Sequence, residues 1–243
     1  MRRFCITLGG LLLVPIWATA QQPAAADPNA AKMDEILTQW EKAMTNLNSV
    51  HTAVSRNTIK KTFQTVEKFS GEAKFLKTGA NQPCRASLYL AKDKMEQDVY
   101  EKYICTGTYI FSFDPANKVI KYAEQQRAGQ GHLGDNFLEF LFGMKKEEAT
   151  KRYRFIYVPS DKNYHYLRVL PRYKEDEKQF KEARVALNVT NFLPRQLWLL
   201  QSNDDEVTWD FPRMNVNIEI RPQEFENPAQ PKGWKTEKFQ KDK

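Results

Sequence analysis

The chain has 243 residues, with 37 Lys and Arg against 30 Asp and Glu and a formal charge of +7. The basic residues are scattered without a dense block, which fits a solvated or lipid-facing surface and argues against a nucleic-acid footprint. Fifteen Phe, ten Tyr and five Trp supply a large core, with apolar surface left over to line a cavity. Arg2 and Arg3, the uncharged run from Phe4 to Trp17 and the small residues Ala18-Thr19-Ala20 predict a secretory signal peptide cleaved before Gln21. The apolar run is short for a membrane span, so a soluble exported protein of about 220 residues and charge about +5 is expected. Cys5 lies too far upstream of the cleavage site to be a lipoprotein cysteine.

Residues 21–31, rich in Ala, Pro and Gln, read as a tether. Met33, Ile36, Leu37, Trp40, Met44 and Leu47 then recur at helical spacing and form one apolar stripe, with Asp27-Pro28 or Asn29 to cap its start. From Val50 the period changes to two. Ser49 to Lys61 and Thr62 to Lys77 read as a long strand pair, with Gly71 marking a bulge or bend. Two further strands flank the polar run Lys92 to Gln97. A hairpin centred on that run puts Cys84 opposite Cys105, a geometry that suits a disulfide in an exported protein; two buried thiols are the alternative. Thr106-Gly107-Thr108 turns the chain into Tyr109 to Phe113, and Asp114-Pro115-Ala116-Asn117 turns it back into Lys118 to Ala123.

Gln125 to Gly134 carries three glycines. Asp135 then caps an intensely apolar helix over Asn136 to Met144, which continues as the charged run Lys145 to Arg152. Tyr153 to Val158 and Tyr164 to Leu170 alternate as strands, and Pro171 to Lys181 reads as a loop or a short exposed helix. A meander closes the pattern: Ala183 to Val189, Arg195 to Gln201 and Glu206 to Phe211. Beyond Phe225 the Pro-rich and then basic tail is expected to lie loosely on the surface. The absence of strand–helix–strand alternation excludes a parallel α/β sheet. The predicted fold is mainly β (α+β): one curled antiparallel sheet of about ten strands, an unclosed barrel whose concave face is covered by the two helices.

The sequence holds no phosphate-cradling glycine loop, no G-x-S-x-G and no H-E-x-x-H. His51, His132 and His165 lie on separate elements without ligand spacing, and Asp204-Asp205-Glu206 sits at a hairpin tip where polar residues belong anyway. We therefore expect no enzyme, no metal and no cofactor. What remains is binding in an apolar hollow, with Tyr109, Phe111, Phe113, Val207, Trp209 and Phe211 as candidate lining. Trp40 on the first helix and Phe137, Leu138, Leu141 and Phe142 on the second are candidate lid residues. The same stripes are what any sheet buries beneath helices, so the sequence leaves a cavity and a plain core both open.

Several short motifs carry a resemblance. Cys105-Thr106-Gly107, the Tyr-rich strand, Asp114-Pro115, Phe192-Leu193-Pro194-Arg195-Gln196-Leu197, Val207-Thr208-Trp209-Asp210-Phe211 and Phe225-Glu226-Asn227-Pro228 resemble the Lol-type (LolA-like) periplasmic lipoprotein carriers. Asp135 to Met144 and Leu193 to Trp198 also look like an uncharacterised secreted domain family of planctomycetes. The resemblance implies an unclosed β-barrel over 32–228, between the tether and a basic tail at 229–243, whose interior takes the acyl chain of a lipid or lipoprotein. It implies a periplasmic or secreted protein, transient contact with a membrane surface and an envelope protein as a further partner. A sensor or protein-interaction module without ligand is the alternative use of the same fold. In the carriers a basic latch residue follows the second strand just before a proline; Lys77 stands nearest here, with Thr78-Gly79-Ala80 intervening before Pro83.

Overall fold

The computed structural model describes residues 28–78, 85–92, 99–125 and 145–239. The signal segment, most of the tether, Cys84, His132, the 136–144 helix with its lid residues Phe137, Leu138, Leu141 and Phe142, and the last four residues lie outside these.

Helix α1 (Pro28–Thr45) begins on a proline, whose missing N–H costs nothing at a helix start, and carries Lys42 in its last turn. Its stripe Met33, Ile36, Leu37, Trp40 and Met44 is buried, as is Leu47 just beyond it. Strands β1 (Ser49–Lys60) and β2 (Thr65–Leu76) form the long hairpin expected from the alternation. They are followed by β3 (Arg85–Lys92), β4 (Tyr100–Cys105), β5 (Tyr109–Asp114) and β6 (Val119–Glu124), each antiparallel to the one before. Gly107 makes the β4–β5 turn at φ 91°, where a side chain would be strained. Helix α2 (Lys146–Arg152) leads into β7 (Tyr153–Val158) and β8 (Tyr164–Pro171), then the short helix α3 (Lys174–Glu177). The meander β9 (Glu182–Asn188), β10 (Pro194–Leu200) and β11 (Glu206–Asp210) completes the second half. All these strands join one open sheet because β11 pairs with β1.

Three expectations change. The β3–β4 ladder sets Ala86, not Cys84, opposite Cys105. The hairpin centre is therefore one residue later than the polar run suggests, because a polar run does not fix the pairing register. Among the described residues the sheet has 13 strands rather than about ten. Two short ones escaped notice: β12 (Met214–Val216), paired with β1, and β13 (Lys235–Lys238). The tail is not loose either. β13 adds in parallel to the edge strand β6, Trp234 stands 6.1 Å from Phe113, and Phe225 is fully buried.

We call the side of the sheet that carries α1 the inner face. There α1 packs on Val50 and Val54 of β1 and on Leu167, Val185, Leu197 and Val207 of the second half. Each such fully buried aliphatic side chain contributes about 1.5–3 kcal/mol of transfer free energy.

Candidate functional site

Residues facing each other across a ladder lie on the same side of a sheet, so the unbroken registers from β11 to β5 sort the side chains. Val54, Gly71, Leu90 and Glu101 make one inner-face row, and Thr52, Ala73, Leu88, Tyr103 and Ser112 make the next. Trp209, Arg56 and Phe69 make a third. Val207, Trp209 and Phe211 therefore point inward, and all three pack with the α1 core. Tyr109, Phe111 and Phe113 alternate with Ile110 and Ser112 and point outward. They pack with Ile104, Ile120, Tyr122 and Trp234 as a second cluster, with Phe111 stacked on Tyr122 at 5.9 Å. The six candidate lining residues thus lie on opposite faces and do not share one hollow. Alternation shows which residues share a side; it does not show which side is the inner one.

The inner face of the first half is differently furnished. Leu88 packs against the edge of the α1 core, and past it lie Ala86, Cys105 and Ile110, all half-buried like Leu88, and Tyr103, which is 40% exposed. This apolar shelf is the candidate ligand surface. Burial and the nearby Glu101 carboxylate raise the Tyr103 hydroxyl above the usual tyrosine range.

Arg56 stands at the head of the shelf. It shares the inward parity of Val50, Thr52 and Val54, and its side chain is only 16% exposed. Its guanidinium carbon lies 4.7 Å from the Phe69 ring centre and 5.4 Å from that of Trp209, so it stands over both aromatic faces. Its two Nη groups donate to the Glu101 carboxylate at 2.8 and 2.6 Å. Its Nε–H is buried and has no acceptor among the described residues. Strand β1 reaches β4 across two intervening strands, which come close together at Gly71. A Cβ at Gly71 would lie 1.8 Å from the Tyr89 carbonyl oxygen, so β2 and β3 approach there as only glycine allows. Arg56 was not a sequence candidate. The signal that marks it is a charge at the same parity as Val50, Thr52 and Val54.

The remaining candidates are placed as follows. Trp40 is buried in the α1 core. Lys77 lies just after β2, and its Nζ donates to the Thr45 carbonyl at the end of α1 at 3.0 Å, which pins the helix C-terminus to the sheet. A cleft beside α1, walled by Leu37, Trp40, Met44, Ala149 and Phe155, has a volume of about 20 Å³, room for a water or two. Lys146 closes it through Asp34 at 2.6 Å and Thr38 at 2.8 Å. His51 contacts Glu72 at 2.9 Å and His165 contacts Ser160 at 2.8 Å. No group of three metal-ligating side chains occurs among the described residues. Of the 204–206 acidic cluster, Asp204 pairs with Lys181, Asp205 accepts from the Lys61 amide and Glu206 pairs with Lys61. No helix among the described residues is long and apolar enough to cross a membrane.

No protein-family profile matches the sequence, and no curated protein does. Solved structures do resemble it. An uncharacterised conserved protein from Thermus thermophilus overlays with a TM-score of 0.50 at 9% identity, over 86% of this chain and 99% of that one. A DUF1329 family protein from Desulfovibrio piger gives 0.47 at 10% identity, over 84% and 100%. A LolA superfamily protein from Nitrosomonas europaea gives 0.35 at 11%, over 80% and 97%. The overlay on the Thermus thermophilus protein is a likeness of fold. At these identities the likeness is one of fold and carries no activity.

Proposed function

We propose that this chain is an exported envelope protein that binds an acyl chain, of a lipid or a lipoprotein, on the inner face of its open sheet. The observation that carries this reading is the apolar shelf of Ala86, Leu88, Tyr103 and Ile110, which continues the inner-face stripe beyond the cover of α1 while staying half open to solvent. An acyl chain laid along it gains about 0.8 kcal/mol for each methylene withdrawn from water. The 20 Å³ cleft beside α1 is too small to take an acyl chain, which favours the shelf. The signal peptide read from residues 1–20 supplies the address, periplasmic or secreted, and the resemblance of the sequence motifs to the Lol-type carriers supports a carrier over an enzyme.

The test is native mass spectrometry of the protein purified from its own envelope, repeated with Ile110→Asp. Co-purifying lipid on the native protein, lost in the variant while circular dichroism stays unchanged, is the expected result. A protein that is empty from its own envelope and takes up no lipid overturns the reading and leaves the interaction module.

A further inference from the structure

The Arg56 arrangement goes further than the shelf needs, and the inference from it rests on the reading of the shelf as an acyl site. An arginine on the wall of an apolar hollow is costly unless its donors are met. Two are met end-on by Glu101. The side-on edge, formed by Nε and the nearer Nη, is not, for Nε is buried without an acceptor. The guanidinium cannot swing freely, because Phe69 and Trp209 hold its faces. Its counterion is the more exposed member of the pair: the Glu101 side chain is 31% exposed against 16% for Arg56. A fixed planar fork with a displaceable carboxylate is the chemistry that receives another oxyanion. It stands beside Leu90 and the apolar row of Ala73, Leu88 and Tyr103.

We infer that Arg56 is the headgroup site of this protein, and that the ligand is an anionic amphiphile whose carboxylate or phosphate takes the guanidinium from Glu101 while its chain lies along Leu88, Tyr103 and Ile110. Glu101 acts as a stand-in for the ligand. It keeps the arginine neutralised when the site is empty and turns to solvent when the oxyanion arrives. The shelf supplies affinity and the arginine supplies the choice of head.

Three probes with one oleoyl chain separate the terms: oleate, oleoyl lysophosphatidate and the uncharged monoolein. Each is titrated below its aggregation concentration into delipidated protein, following tryptophan fluorescence and calorimetric heat. At least one of the two anionic probes is expected to bind about tenfold or more tighter than monoolein, the scale of one charge-assisted bidentate contact. Whichever of them binds tighter identifies the head as carboxylate or phosphate. Glu101→Gln, which removes the competitor and keeps the fork, is expected to tighten the anionic probes several-fold and leave monoolein unchanged. Arg56→Gln is expected to erase the preference. Equal binding of all three probes to the native protein overturns the headgroup assignment and leaves the acyl shelf standing. Binding of none overturns both. Weaker anion binding in Glu101→Gln also overturns the assignment, and this variant decides the matter if Arg56→Gln does not fold.

Discussion

The two ends of the sheet bury opposite faces. In the second half, β7 to β11, the inner side chains Leu167, Val169, Val185, Leu187 and Leu197 are almost wholly buried under α1, while Arg154, Arg168, Arg184 and Gln196 face water on the other side. In the first half, β4 to β6, the outer side chains Ile104, Phe111, Phe113 and Ile120 are the buried ones. They are covered by the returning C-terminal segment, with Trp234 on Phe113, while Glu224 pairs with the outward Lys74 at 2.5 Å. Both halves alternate equally well. What decides the buried face is which distant segment of chain lies over it. The C-terminal segment takes the outer side of β4 to β6, and among the described residues the inner side there stays half open.

The largest expected effect tests the close approach of β2 and β3. Gly71→Ala puts a methyl carbon where the Tyr89 carbonyl already stands, and backbone on both sides leaves little room to yield. A loss of more than about 3 kcal/mol in urea unfolding is expected, in the range of severe overpacking. A variant within about 1 kcal/mol of the native protein, on the scale of an ordinary substitution, would show that β2 and β3 do not approach so closely.

Next come paired truncations. Leu197→Ala inside the second half and Ile120→Ala outside the first each empty a site that is at most 1% exposed, and each is expected to cost about 2–5 kcal/mol. Their parity partners should be mild: Gln196→Ala and Ile110→Ala leave half-open or exposed positions and should cost under about 1 kcal/mol. Chemical denaturation of the four variants checks the inversion. If Ile110→Ala is as costly as Ile120→Ala, the inner face of the first half is core and the shelf is not a shelf.

Much of this was legible from the chain. The β1–β2 hairpin, the β7–β8 pair and the β9–β11 meander all follow from period-two patterns with turn residues between them, and α1 follows from its stripe. The failures share a physical cause: local pattern carries no information about distant cover. Tyr109, Phe111 and Phe113 are correctly grouped on one face, but the segment that buries them, from Trp234 onward, comes more than a hundred residues later. β13, Lys235-Thr236-Glu237-Lys238, is wholly exposed and polar, so only its backbone pairing to β6 makes it a strand. Cys105 and Cys84 were placed opposite by centring a turn, and a two-residue offset followed. Arg56 shares the parity of Val50 and Val54 in the chain, but a charge in a strand reads as outward; the ladder sets it inward, between Phe69 and Trp209.

The smallest effect concerns the wet outer face of the second half, which charge holds where packing does not. Glu182 on β9 accepts from Arg168 at 2.7 Å and from Arg184 at 2.8 Å, and Arg184 in turn stands over the Trp198 ring. The hydrogen bond from Arg168 lowers the Glu182 pKa below its ordinary 4.5, and the bond from Arg184 adds to it against the opposing effect of burial. The folded value lies below the unfolded one, so the stabilisation is fully present above about pH 5 and drains away as the pH falls through the folded value. Both arginines are well exposed, so screening keeps the term near about 1 kcal/mol at neutral pH. Glu182→Gln should cost about that much at about pH 7, nothing near about pH 2, and less at high salt. An unchanged acid limb in the stability–pH profile of the variant would mean that the outer face of this half is held by something other than its charges. The contrast between a packed outer face in one half and an ion-paired one in the other would then fail.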